Sequence, residues 1–80
     1  MSRMYFHFFD GSRILADGDG IEIAPEDVAE RLLKEARALI ADEALRGVID
    51  LRQRIDVADR DGMVLYSMAF ANAVEIIPPE

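Results

Sequence analysis

The fold is decided by residues 25–47, which read PEDVAERLLKEARALIADEALRG. No other stretch of the chain is long and periodic enough to predict a long helix. At 100° per residue its apolar side chains gather into one stripe, and charged side chains occupy the opposite face. The stripe contains Val28, Leu32, Ala36 and Leu39, with Ala29, Leu33 and Ile40 beside it. The pattern therefore predicts an amphipathic helix over about residues 25–46.

The two ends of this helix carry their own signals. Pro25 suits the first helical position, where its missing N–H costs no helical hydrogen bond. Gly47 suits the position just after the last turn. Glu43, however, falls on the apolar stripe, and Leu45 falls on the polar side. Because this exchange conflicts with the pattern, we expect the last turn to tighten, fray or turn away from the core.

Strand signals lie on both sides of the helix. Residues 3–9 are aromatic and β-prone, and the turn at residues 10–13 sends the chain back, which predicts a hairpin over about residues 3–16. After the helix, alternating residues, a turn containing Gly62 and a longer apolar strand predict a second hairpin over about residues 53–70.

The order of these elements predicts the fold class. Two hairpins separated by one helix make a ββαββ chain of the α+β class. We expect an antiparallel sheet of about four strands with the amphipathic helix packed on one face. Residues 21–23 alternate and add a short extended segment before the helix. Eighty residues correspond to a single domain over residues 1–80.

One helix covers only one face of such a sheet. Along the first strand one face carries Met4, Phe6 and Phe8, and the other carries Tyr5, His7 and Phe9. Whichever set meets the helix, an aromatic set stays uncovered, and exposed apolar patches usually mark a contact. We therefore predict a homodimer that buries this face against its own copy, with edge pairing between strands as the competing geometry. The monomeric alternative is that the tail from Asn72 to Ile77 folds back over the face. The candidate self-association face consists of Tyr5, His7, Phe9 and Leu65.

Composition excludes several classes of protein. The net charge of −7, from 16 acidic and 9 basic residues, argues against nucleic-acid binding, which normally uses a basic surface. The chain has no cysteine, so disulfides and thiolate chemistry are absent. Its apolar runs are too short to cross a bilayer, and residues 1–10 do not resemble a signal peptide. A cytoplasmic protein without membrane contacts is the expectation.

His7 is the only histidine and the obvious candidate for acid–base chemistry. A general base needs a nucleophile or proton donor within reach, and Ser12 and Ser67 are the only serines near it in a ββαββ fold. No motif connects these residues. We interpret His7 as structural or at an interface, with a pH-sensitive contact as the alternative.

The loop at residues 17–20 resembles a calcium-binding loop only in part. Asp17, Asp19, Gly20 and Glu26 match its third, fifth, sixth and twelfth positions, but Leu15 occupies the first and has no ligand atom. We therefore interpret the loop as a turn. The sequence predicts no catalytic residue, no cofactor and no metal site, and hence no enzyme.

Several short patterns, taken together, resemble a known family. They are Tyr5-Phe6-His7-Phe8 before Asp10-Gly11, Asp17 three residues before Gly20, helical Ala29 and Ala36, Ile55, Val57, Asp59 and Gly62, and finally Phe70 with Ala73-Val74. This combination resembles a family of short bacterial proteins, frequent in alphaproteobacteria, that is described only as a domain of unknown function. The resemblance implies one fold over nearly the whole chain. It implies no activity and no catalytic residue.

Two hypotheses about function follow from these patterns. The leading one is a small non-enzymatic cytoplasmic module that self-associates and also binds an unidentified protein partner. The alternative is a small-molecule or ion-sensing domain that uses the sheet face or the loop from Asp17 to Gly20. A flat apolar face or a shared strand favours the first, and a concave pocket with convergent polar groups favours the second.

Overall fold

The computed structural model describes all 80 residues of the chain. It contains five strands, one long helix and one short helix, the long helix being preceded by a 3₁₀ turn over Pro25–Asp27. The elements are β1 (Ser2–Phe9), β2 (Ile14–Leu15), β3 (Ile21–Ile23), α1 (Val28–Arg46), β4 (Arg54–Ala58), β5 (Val64–Ala69) and α2 (Phe70–Ala73). Neither helix combines the length and the apolar character that crossing a membrane requires.

The strands form one antiparallel sheet in the order β2-β1-β4-β5, and β3 pairs with β1 at the end remote from β2. The two predicted hairpins are therefore joined through the central pair β1–β4. The predicted α+β fold is confirmed, and the extended residues before the helix supply a fifth strand. A register shift places Val57 opposite Tyr66 and Ala58 opposite Val64, so Leu65 has no partner in β4.

Helix α1 begins and ends through different devices. The first three predicted helical residues, Pro25–Asp27, form the 3₁₀ turn instead of α-helix. At the other end Gly47 adopts a left-handed φ of 93°. Its N–H donates to the Ala44 carbonyl at 3.1 Å, and the Val48 N–H donates to the Glu43 carbonyl at 3.3 Å. This pair of bonds is a Schellman motif, which satisfies two of the carbonyls left free at a helix end.

The last helical turn, which we expected to tighten, fray or turn away from the core, stays α-helical to Arg46, and Glu43 is the reason. The Glu43 carboxylate accepts hydrogen bonds from the Gln53 side-chain amide at 2.7 and 2.8 Å and from the Asp50 N–H at 3.1 Å. Gln53 is only 5% exposed, so its amide needs a partner inside the protein. An acid on the apolar stripe thus meets the one buried polar side chain.

The stripe of α1 that enters the core differs in part from the predicted one. Its buried members are Val28, Leu32, Ala36 and Ile40, each four residues from the next. Leu39, predicted on the central line, is 37% exposed. A row with this spacing winds slowly around the helix, so the contact with the sheet shifts toward Ile40 along α1. Leu39 is left beside an open groove with Phe8 and Val48.

The sheet presents one apolar face to this row. The buried core residues from the rest of the chain are Met4, Ile23, Ile55, Val57, Phe70 and Ala73. Helix α2 closes the far end of this core. The Phe70 N–H continues the β4–β5 ladder by donating to the Gln53 carbonyl at 2.9 Å. Arg37, on the polar side of α1, donates from Nε to the Ala73 carbonyl at 2.8 Å and fastens α2 to α1.

Two leucines on α1 give a matched test of this packing. Leu32 is 2% exposed, and its truncation leaves a cavity against the sheet, so Leu32→Ala should destabilise the protein by about 2–4 kcal/mol. Leu39→Ala removes the same atoms from an open site and should cost less than about 1 kcal/mol. Urea denaturation followed by circular dichroism measures both. Equal midpoints for the two variants would contradict the assignment of the buried row.

Candidate functional site

Three of the four residues of the predicted self-association face lie in one row. Met4, Phe6 and Phe8 pack toward α1, so Tyr5, His7 and Phe9 lie on the opposite face of β1. This uncovered side of the sheet is called the open face below. Tyr5 and His7 stack with ring centroids 6.4 Å apart and an interplanar angle of 11°. The fourth predicted residue, Leu65, is the unpaired residue of β5 and is 43% exposed.

The open face also carries a polar network that sequence reasoning missed. Arg54 Nε donates to both oxygens of Asp56 at 3.2 Å, and the Arg54 guanidinium carbon lies 4.4 Å from the centroid of the Phe9 ring. The Ser67 hydroxyl donates to Asp56 Oδ1 at 2.6 Å. Arg54 and Asp56 alternate with apolar Ile55 and Val57 in the sequence, and this alternation indicates that the two charged residues share one face of the strand. The position of Ser67 beside Asp56 follows only from the register between β4 and β5, which the sequence does not specify.

His7, Asp56 and Ser67 occupy facing positions on three adjacent strands. The order differs from that of a catalytic triad, in which the histidine lies between the serine and the acid. Here the acid lies between the other two, and the serine proton is held by Asp56. The geometry therefore aligns three residues of catalytic type without pairing Ser67 with His7.

His7 instead takes part in backbone hydrogen bonding. Its Nδ1 accepts the N–H of Asp17 at 2.9 Å, which places the ring proton of the neutral imidazole on Nε2. The interpretation of His7 as a hydrogen-bonded structural residue agrees with this contact. The bond anchors the loop at residues 17–20 to the middle of β1.

The Asp17 carboxylate closes a gap in the sheet. β2 pairs with Phe8 and Phe9, and β3 pairs with residues 2–4, so Phe6 has no strand partner on that side. Asp17 Oδ2 accepts the Phe6 N–H at 3.1 Å. Its Oδ1 accepts the N–H groups of Asp19 at 3.2 Å and Gly20 at 3.1 Å. We call this arrangement the Asp17 clasp.

These bonds determine the electrostatics of the loop. The N–H of Gly20, with those of Phe6 and Asp19, holds the pKa of Asp17 below its ordinary value of 3.8, although partial desolvation opposes the shift. Both carboxylate oxygens already accept hydrogen bonds from the backbone. No group of three or more His, Cys, Asp or Glu side chains is placed to hold a metal ion. The Asp17 carboxylate is therefore engaged within the chain.

Gly20 is required by the clasp for two reasons. Its φ of +69° lies in the left-handed region, where side chains are disfavoured. A Cβ at this position would lie 2.8 Å from the Met4 carbonyl oxygen and 2.9 Å from Tyr5 Cε2. Backbone and aromatic ring thus approach too closely for any other residue.

The outer strand β5 and the residue before it form an exposed apolar stretch. Met63, Val64, Leu65 and Tyr66 are 65%, 54%, 43% and 38% exposed. β5 pairs only with β4, so its other edge faces solvent. The strand contains neither a charge nor a proline. The sequence pattern points to Leu65 but not to β5 as the edge, because strand order is not a local property of the chain.

The concave features of the surface are open grooves. The widest, of about 390 Å³, lies between the C-terminal half of α1 and the sheet and is lined in part by Phe8, Leu39 and Gln53. Its charged rim residues Glu43 and Asp50 are already hydrogen-bonded to Gln53 and Arg52. The groove therefore presents few free polar groups to a small ligand.

Comparison with known proteins gives one match. A family model described as "Domain of unknown function (DUF6894)" matches residues 3–71, which include all five strands from Arg3 onward, α1 and the start of α2. No curated protein and no solved structure matches the chain.

The Asp17 clasp makes a prediction about pH. Because the folded-state pKa of Asp17 lies below 3.8, its stabilising contribution is complete above that value and is lost as pH falls through the folded pKa. Asp17→Asn, which lacks the charge, should melt at a lower temperature at neutral pH and lose less further stability below about pH 4. Asp19→Asn is the control, since the Asp19 side chain makes no hydrogen bond or salt bridge. If acidification lowers the melting temperature of wild type and of Asp17→Asn by the same amount, the role of the Asp17 charge is contradicted.

Two glycines in the same loop give a second prediction. Gly20→Ala should destabilise the protein by about 2 kcal/mol or more, because it adds a steric clash to a strained φ. A Cβ at Gly18 would meet no neighbouring atom within 4 Å, and Gly18 has no positive φ, so Gly18→Ala should change stability by less than about 1 kcal/mol. Thermal melts of the two variants compare them directly. A tolerated Gly20→Ala would mean that the loop lies farther from β1 in solution.

Proposed function

The chain belongs to the DUF6894 family, whose description as a domain of unknown function assigns no activity, and we propose from the geometry that it is a small self-association module. In this proposal the protein is non-enzymatic, acts in the cytoplasm and forms a homodimer. Its function is to bring together two copies, and through them any partner that either copy holds.

One observation carries the proposal. Met63, Val64, Leu65 and Tyr66 are consecutive large apolar residues, and each is more than a third exposed at one side of the sheet. Apolar surface of this continuity is uncommon on monomeric proteins and usually marks a binding surface. Burial of the same surface on two copies across a two-fold axis is the commonest arrangement of homo-oligomers.

The polar groups of the open face, which borders this apolar surface, are hydrogen-bonded within the chain. Arg54 and Ser67 both donate hydrogen bonds to the Asp56 carboxylate, and His7 accepts a backbone N–H through Nδ1. Satisfied polar groups cost little to bury in a contact.

The mass of the protein in solution tests the proposal. Light scattering coupled to size-exclusion chromatography, at tens of micromolar protein, should give about twice the 9.0 kDa of one chain. Dilution should shift the mass toward one chain as the dimer dissociates. A mass near 9.0 kDa at every concentration would refute self-association.

A further inference from the structure

The two edges of the sheet are built differently. On one side β1 is covered by two very short strands, β2 of 2 residues and β3 of 3 residues. Between them the Asp17 clasp takes up the Phe6 N–H. Short strands and a carboxylate bonded to the backbone leave little for another strand to pair with. This edge is closed to a partner.

The other edge, formed by β5, has no such protection. β5 is 6 residues long and pairs with no strand other than β4. The Phe70 N–H donates inward to the Gln53 carbonyl of the β4 side. Because backbone groups alternate along a strand, the N–H and C=O groups of Ala69 and Ser67 point outward, to the empty side. They form a ready template for a further strand.

The charge distribution indicates which strand fits this edge. The chain has a net charge of −7, yet no charged residue occurs between Asp61 and Glu75. A basic peptide would find its opposite charges on other parts of the surface and none along β5. Two copies each carry a net charge of −7 and repel one another on average, whereas β5 meets β5 without a charged side chain on either strand. The edge is thus best suited to its own copy.

We propose that β5 pairs antiparallel with β5 of a second copy across a two-fold axis, so that two sheets become one continuous sheet. This inference rests on the proposed self-association and specifies its interface. Met63 to Tyr66 then lie at the junction. The row of Tyr5, His7 and Phe9 stays on the surface of both copies, so the open face predicted from sequence borders the dimer contact without forming it.

Ala69→Pro tests the edge with little disturbance of the monomer. Ala69 has φ −73° and ψ 141°, values that a proline ring accepts. Its outward N–H makes no bond within the chain, so only pairing with a second strand is blocked. The variant should give the mass of one chain where wild type gives two, with an unchanged circular dichroism spectrum. Phe9→Ser is the control for the open face and should remain dimeric.

Amide exchange of the wild-type protein gives an independent readout if Ala69→Pro folds poorly. The Ser67 and Ala69 amides have no partner in a single chain and should exchange rapidly at low concentration. At concentrations where the dimer dominates, the exchange rate of these two amides should fall by about tenfold or more. Residue-resolved hydrogen exchange by NMR at two protein concentrations measures this change.

The outcomes separate the two proposals. A monomeric wild type overturns both self-association and the β5 interface. A dimeric wild type with unprotected Ser67 and Ala69 amides overturns the β5 interface alone. A folded Ala69→Pro variant that stays dimeric also overturns the β5 interface alone. If Phe9→Ser is then monomeric, the contact lies on the open face. Loss of the dimer in Ala69→Pro with protected edge amides in wild type supports the inference.

Discussion

The whole structure depends on the burial of one row of α1 against one face of the sheet. Val28, Leu32, Ala36 and Ile40 supply that row, and only 12 of the 80 residues are buried. A core of this size leaves a small domain with limited stability to spare. The ends and edges of the elements are therefore secured by separate polar contacts, because apolar burial does not reach them.

Aspartates supply most of these contacts, which changes the meaning of the acidic composition. Asp10 accepts the N–H groups of Arg13 and Ser12, and Asp59 accepts those of Asp61 and Met63. The N–H groups of Arg13 and Ser12 lower the pKa of Asp10, and the Arg52 side chain and N–H lower that of Asp50 to about 2. Together with Asp17, these residues use negative charge to hold the backbone at turns. Part of the −7 net charge is thus structural.

Local signals in the sequence were sufficient for the elements and the fold class. Helical periodicity and turn residues predicted α1 and both hairpins because each depends on residues close in the chain. The exposure of Leu39, the burial of Ile40 and the pairing of Glu43 with Gln53 depend on how α1 crosses the sheet, which no local pattern records. Ser67 joined the polar network only through a register that includes a bulge. The function remained beyond sequence reasoning because no motif ties polar residues to a reaction.

The contact between Glu43 and Gln53 has a consequence for how the chain selects one alignment of β4. A slip of β4 by two residues would keep Ile55 and Val57 on the inner side, so hydrophobic burial alone distinguishes the two alignments weakly. The slipped alignment would carry the Gln53 amide away from Glu43 and remove two of the three hydrogen bonds that the Glu43 carboxylate accepts. The buried Gln53 amide therefore favours the native alignment of β4 over the slipped one.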